Sequence, residues 1–334
     1  VIRVVGVGTV PSRGVRKGVI VNVNEAAQAI RASVEKAERL SGYDIERANV
    51  SLAGAHVSSL NSRGVIAVQH GERGVIPEDV ERALEAARAI AIPHDREVVH
   101  IIPRGFSLDG QEGIHDPVGM VGFRLEVEAH IITGAVSSIH NLIKCVEDAG
   151  VGIDELVLDP LASGEAVLID NEREMGVVLV DIGGGTTDIA IFIEGSIWHT
   201  TILAVGGHHL TNDISVVMRM PYASAEESKI QSGHACPDQV DASEMIQVAM
   251  FGESAPVRVS RHEIAEVIEA RVEEIFGLVL KEIKRSGYDG LLPAGVVLCG
   301  GTAQLQGIRE LGRQVFKLPV RVGAPGDLQG LTDS

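Results

Sequence analysis

Asp181, Gly183, Gly184, Gly185, Thr186 and Asp188 fall within one octapeptide, DIGGGTTD, set between the apolar runs of Val177–Ile193. The pattern reads strand, tight glycine turn, strand. Glycine turns with little steric cost and carries no Cβ to hold off a ligand. The amide N–H groups of such a turn can converge on phosphate oxygens, with threonine hydroxyls as further donors. An acid at the mouth of the strand suits Mg²⁺, which keeps several waters and takes one or two carboxylates beside substrate phosphates. No GK[ST] follows and a strand comes next, so this is neither a Walker loop nor a dinucleotide fingerprint. Taken alone, the stretch is also compatible with a plain glycine-rich hairpin.

A second transition from strand to glycine occurs at Gly295–Ala303, GVVLCGGTA. Ligands of open α/β sheets bind beyond the carboxyl ends of strands. Gly300 and Gly301 would serve a nucleotide seat or close strand–helix packing equally well.

These loops need elements to position them. The chain has 334 residues, 45% hydrophobic and only 3% aromatic, so its cores are built from Val, Ile, Leu and Ala. That composition suits sheets with parallel strands buried on both faces. The formal net charge of −17 argues against an extended nucleic-acid footprint but not against one bound triphosphate. Cys145, Cys236 and Cys299 have no paired spacing, which signals neither zinc nor a disulfide framework and suggests a reducing compartment. No apolar run reaches the roughly 18 residues that would span a bilayer.

Along the chain, Val1–Val10 reads as a strand and Pro11–Gly18 as a basic turn. Asn24 would cap a helix ending at Gly42. The stretch 55–128 has a different texture, short strands around one helix that starts at Pro77 and turns Val80, Leu84, Ala87 and Ile90 inward; it reads as an α+β insertion. Residues 124–127 and 130–133 read as separate strands. Helices follow the glycine hairpin, with capping boxes at Ser224/Glu227 and Ser260/Glu263. His208 and His209 are adjacent, so a helix would not turn both to one metal. Strands alternating with helices make the class α/β.

Together the motifs resemble those of the actin-like ATPase superfamily: DIGGGTTD its second phosphate motif, VLCGGTA its adenosine motif, and Asp159–Leu168 (DPLASGEAVL) its first connecting helix. GVGTVPSRGVRKG, HIIPRGF, DPVGMVGFRLEVEAHIIT, GGHHLTNDI and AEESKI resemble the FtsA family of bacterial cell-division proteins, in order and over essentially the whole chain.

The resemblance implies an actin-like, ribonuclease H-like fold of two lobes with a small α+β insertion of the 1C type. Residues 1–54 and 129–173 would form the first lobe core, 55–128 the insertion, 174–221 and 291–334 the second lobe core, and 222–290 a helical subdomain. It also implies truncation at both ends, because a first phosphate loop and a C-terminal membrane-targeting helix are absent. ATP and Mg²⁺ would be the cofactors, bound between the lobes, with hydrolysis slow at most. Gly183, Gly184, Gly185 and Thr186 would contact the phosphates. Asp181 would be the catalytic residue, organising a water on the magnesium. Gly206, Asn212 and Asp213 would lie near ribose and phosphates, Glu226 and Lys229 would reach ribose and base, and Gly300, Gly301 and Thr302 would seat the adenosine. The implied partners are FtsZ through 222–290, copies of the chain itself in filaments, other divisome proteins through 55–128, and the membrane through the absent helix; nucleic acid is not among them. The implied place is the cytoplasmic face of the inner membrane at midcell. A pilus-assembly scaffold of the PilM type is the alternative within the same fold.

Overall fold

The computed structural model describes residues 2–69, 71–90, 92–326 and 328–330. The chain divides into two compact units. One comprises Val1–Ala162, Ala190–Thr201 and Asp327–Ser334, the other Ser163–Ile189 and Ile202–Gly326.

The first unit opens with β1 (Ile2–Val4) and a hairpin of β2 (Val15–Arg16) and β3 (Val19–Ile20). The expected strand over the first ten residues is cut short among the described residues. Beyond Val4 its carbonyls are taken by helix side chains instead of a ladder: Ser33 Oγ donates to Gly8 O (2.5 Å) and Lys36 Nζ to Thr9 O (2.8 Å). Those side chains belong to α1 (Val23–Ser41), capped by Asn22 rather than Asn24 and closed by Gly42 at φ 74. The capping oxygen of Asn22 accepts from Glu25 N at 3.2 Å, satisfying one of the amides that a helix start leaves without an intrahelical partner.

Next come β4 (Arg47–Leu52), β5 (Val57–Ala67), α2 (Pro77–Arg88), β6 (Arg96–Leu108), β7 (Gln111–Ile114) and β8 (Arg124–Ala135). β5, β8, β6 and β7 form one antiparallel sheet in that order. Residues 124–135 are a single strand, not two, because β8 pairs along its length with β5 on one side and β6 on the other. Polar and apolar residues alternate along it from Arg124 to Ile131, and Glu126, His130 and Thr133 are buried polar residues of the strand. Ala83 and Ala87 of α2 pack with Val68, Phe106, Leu108, Leu125 and Val127 in a closed core. Ile90, expected inward, lies beyond the end of α2 and is 41% exposed. α3 (Val136–Asp148) follows directly from β8, and β9 (Gly152–Leu158) runs parallel to β4.

α4 (Asp159–Val167) and α5 (Asp170–Met175) lead to β10 (Val177–Ile182), β11 (Thr187–Ile193) and β12 (Ser196–Leu203). The division between the units falls within α4, β11 and β12. In the second unit, α6 (Gly207–Val217) and α7 (Tyr222–Ser232) precede a hairpin of β13 (Met245–Val248) and β14 (Val257–Ser260). Then come α8 (Arg261–Ser286), β15 (Gly295–Cys299), α9 (Ile308–Phe316) and β16 (Val320–Val322). The last strand, β17 (Leu328–Gly330), pairs in parallel with β1 in the first unit.

β10 pairs in parallel with β15, and β15 with β16, within a sheet of order β12-β11-β10-β15-β16. All five residues of β15 and Val177–Val180 of β10 are buried, as strands covered on both faces must be. α8 contributes Ile264, Ile268, Val272, Ile275, Phe276 and Val279 to the core, and the Phe276 and Phe316 rings stand 4.8 Å apart. Ser260 caps α8 as expected, accepting from Glu263 N. The box expected at Ser224 does not form, because α7 starts two residues earlier, with Pro221 as its N-cap.

Candidate nucleotide-binding site

Every residue singled out in the sequence for nucleotide contact lies in the second unit. The parallel register sets Asp181 of β10 opposite Cys299 of β15, so the two glycine loops leave the same sheet edge side by side. They are tied together: the Thr302 hydroxyl donates to Gly183 O at 3.1 Å. Gly300 stands at φ 85, and a Cβ there would fall within 2.7 Å of Ile182 O and closer still to the Asp181 carboxylate. No L side chain fits that position.

The bend closes with Gly183 N donating to Thr186 O at 3.0 Å. Its carbonyls are drawn toward α6: Gly207 N donates to Gly183 O (2.9 Å) and His208 N to Gly184 O (2.8 Å). The described peptide bonds contain no cis bond, and in a trans peptide the N–H points opposite to its carbonyl. The amides of Gly184 and Gly185 therefore point away from α6, and Gly184 is exposed. Two N–H groups turned outward from a bend make an anion-binding concavity. Gly183 and Gly184 achieve this without left-handed backbone. The glycine that α6 requires is Gly206, where a Cβ would stand 2.7 Å from Gly183 O and 2.9 Å from both Gly184 O and Thr186 O.

Side chains around the bend are mutually engaged. Ser163 Oγ donates to Asp181 Oδ2 at 2.6 Å. The Thr186 hydroxyl turns inward to Asp188 (3.0 Å) and that of Thr187 to Val205 O (2.8 Å). Lys229 Nζ donates to Glu226 (2.8 Å), Thr211 Oγ1 (2.9 Å) and Gly207 O (3.3 Å), so it braces the first turn of α6. Burial would raise the Glu226 carboxyl, but hydrogen bonds from Lys229 and Thr211 outweigh it and hold the group below its ordinary range.

Asp181, Gly183–Thr186, Gly206, Glu226, Lys229, Gly300 and Thr302 thus form one connected cluster, with exposed Gly301 beside it. Asn212 and Asp213 stand apart from it, further along α6. Asp213 is held by Arg271 of α8 (Nε to Oδ2, 2.5 Å), and both residues line a cavity of about 1060 Å³ between α6, β13, β14 and α8. Sequence reasoning missed Ser163, Thr211, Arg271 and Tyr222. The Tyr222 hydroxyl shares a 2.9 Å hydrogen bond with His208 Nδ1, while His209 Nδ1 accepts from Gly206 N. Only Thr211 had a signal, its spacing of four from Gly207 on one helix face.

The cluster fits a nucleotide's phosphates and one Mg²⁺. Its anion-facing donors are backbone amides, and one carboxylate at the strand end suffices for a cation that takes its other ligands from water and phosphate. Among the described residues no group of three or more His, Cys, Asp or Glu is arranged to hold a metal by itself.

Comparison with known proteins identifies the fold and the family. The structure resembles a PilM–PilN type IV pilus biogenesis complex with TM-score 0.66 at 16% identity, over 96% of this chain and 81% of that one. It also resembles MreB5 of Spiroplasma citri bound to ADP, with TM-score 0.50 at 23% identity, over 57% of this chain and 61% of that one. The fold is therefore actin-like, α/β, with an inserted domain: residues 54–133 match the SHS2 domain inserted in FtsA. Residues 178–334 match the model for the cell division protein FtsA. The cell division protein FtsA of Pseudomonas aeruginosa is 46% identical over 99% of this chain and 79% of its own length. The chain belongs to the FtsA family of cell division proteins. No helix of the described residues is long and apolar enough to cross a membrane.

Proposed function

We propose that the chain is an actin-like scaffold of the division septum that binds Mg-ATP at the Asp181–Thr186 bend and links FtsZ filaments to the cytoplasmic face of the membrane. The observation that carries the nucleotide reading is the direction of the bend's peptides. Two loop carbonyls face α6, which turns the Gly184 and Gly185 amides outward. Gly300, Gly301 and Thr302 would seat the adenosine, and Glu226 and Lys229 would approach the ribose from α7. Asp181, fixed by Ser163, would hold Mg²⁺ through water. That ion would neutralise charge on the β- and γ-phosphates when bound.

The reading assigns 222–290 to FtsZ, and the large cavity that this segment shares with α6 and the residues after it supplies a surface. Val216 and Val217 at its edge are 67% and 59% exposed, and patches of exposed apolar residues mark interaction sites. The inserted domain would take other divisome proteins, and copies of the chain would assemble into filaments. The membrane attachment would come from a C-terminal helix of the family. The likeness to the pilus complex, at 16% identity, speaks for the shared fold and does not favour a pilus role.

Calorimetric titration of Mg-ATP into the chain and into Asp181→Ala tests the reading. Saturable binding that weakens about tenfold or more in the variant is expected from loss of one charged metal contact. Equal heats from the two proteins would refute the role given to Asp181.

A further inference from the structure

His208 is the second residue of α6, and its ring lies against the bend. A Cβ built on Gly184 would stand 3.0 Å from Nε2 and 3.4 Å from each adjoining ring carbon. The Nε2 edge therefore faces the bend. The opposite nitrogen, Nδ1, is held by the Tyr222 hydroxyl at 2.9 Å. A neutral imidazole carries one proton, so a Tyr222 O–H that donates to Nδ1 leaves the N–H on Nε2. Both His208 and Gly184 are exposed, so a ligand reaches this edge without displacing protein. The nearby Glu226 carboxylate is paired with Lys229 at 2.8 Å and so opposes an incoming anion weakly.

We propose that His208 Nε2 donates to the terminal phosphate of the bound nucleoside triphosphate, and that Tyr222 is the positioning residue that sets its tautomer. The proposal rests on the phosphate reading of the bend given above. It makes the site selective for triphosphate over diphosphate, because the bend amides serve both ligands while His208 meets only the added group.

The test is calorimetric titration of Mg-ATP and Mg-ADP into the wild-type chain, His208→Ala, His208→Gln and Tyr222→Phe, with thermal unfolding of each as a check on folding. ATP affinity falls about tenfold in His208→Ala, and ADP affinity changes by less than about twofold, as loss of one charge-assisted bond requires. His208→Gln, which keeps an N–H donor, recovers most of the loss. Tyr222→Phe weakens ATP by a few-fold and leaves ADP unchanged, and it decides the matter by itself if His208→Ala does not fold. Equal losses for ATP and ADP, or wild-type ATP affinity in a folded His208→Ala, would overturn this inference alone. A wild-type chain that binds neither nucleotide would overturn it together with the reading beneath it.

Discussion

The Thr302 hydroxyl donates to the Gly183 carbonyl across 3.1 Å, joining two loops 119 residues apart in sequence. Gly207 N donates to the same oxygen at 2.9 Å. The carbonyl thus has a donor from β15's loop and another from α6, and this double hold fixes the peptide plane that aims the Gly184 amide outward.

Thr302→Val keeps the shape of the side chain and deletes the donor. One hydrogen bond of this kind contributes about 1 kcal/mol. Nucleotide affinity should drop about fivefold with a small fall in unfolding midpoint, and Thr302→Ser should restore it. A Thr302→Val protein with unchanged affinity would show that the bend holds its shape without the second loop.

Gly300→Ala forces a methyl group toward Asp181 and Ile182 O at a left-handed φ of 85. The strain should cost about 1–3 kcal/mol. Urea unfolding should show that loss, accompanied by weaker Mg-ATP binding, because the nearest displaced atoms belong to the Asp181 carboxylate. A stability equal to wild type would contradict the packing described.

His130 supplies a pH signature in the first unit. Its Nδ1 lies 2.7 Å from Asn61 Oδ1 and its Nε2 lies 3.0 Å from Thr200 Oγ1. Burial, then the charges of His199 and Arg104, lower its pKa to about 3. The unfolded chain binds the proton near pH 6.5 and the folded chain does not, so this contribution is complete above that pH and is lost as pH falls toward 3. The limiting slope for one group is about 1.4 kcal/mol per pH unit. Urea unfolding of wild type and His130→Gln at pH 7, 6 and 5 should show a steeper loss in wild type. Parallel pH profiles would contradict a buried neutral His130.

Val217→Glu places a charge at the rim of the cavity between α6 and α8 without touching the bend. FtsZ binding should weaken about tenfold or more, since an unpaired charge in an apolar contact is costly, while ATP affinity stays at the wild-type value. Unchanged FtsZ co-sedimentation would move the partner's surface elsewhere.

Much of this architecture was legible in the sequence because its signals are local. The hairpin of β10 and β11, the limits of β12, α8, β15 and β16, and the cap at Ser260 all follow from apolar runs and adjacent breakers. What escaped was set by tertiary contact. Residues 124–135 read as two strands although polar and apolar residues alternate without a break from Arg124 to Ile131; the continuous pairing with β5 and β6 makes them one. The hairpin of β13 and β14 was missed because its eight residues are few and its connection is long. At the site, the glycine loops were visible as types and spacing, but their juxtaposition came only from the register of Asp181 with Cys299. Asp213 looked like a ligand-side acid, yet Arg271, 58 residues later, holds it further along α6, away from the bend. His208 and Tyr222, 14 residues apart, carry no pattern that sequence alone would single out.

The most direct measurement is a crystal structure of the chain with Mg²⁺ and a non-hydrolysable ATP analogue. Phosphate oxygens within hydrogen-bond distance of the Gly184 and Gly185 amides, with the metal's water shell on Asp181, is the result expected. An analogue bound elsewhere while the bend keeps its shape and stands empty would contradict the account.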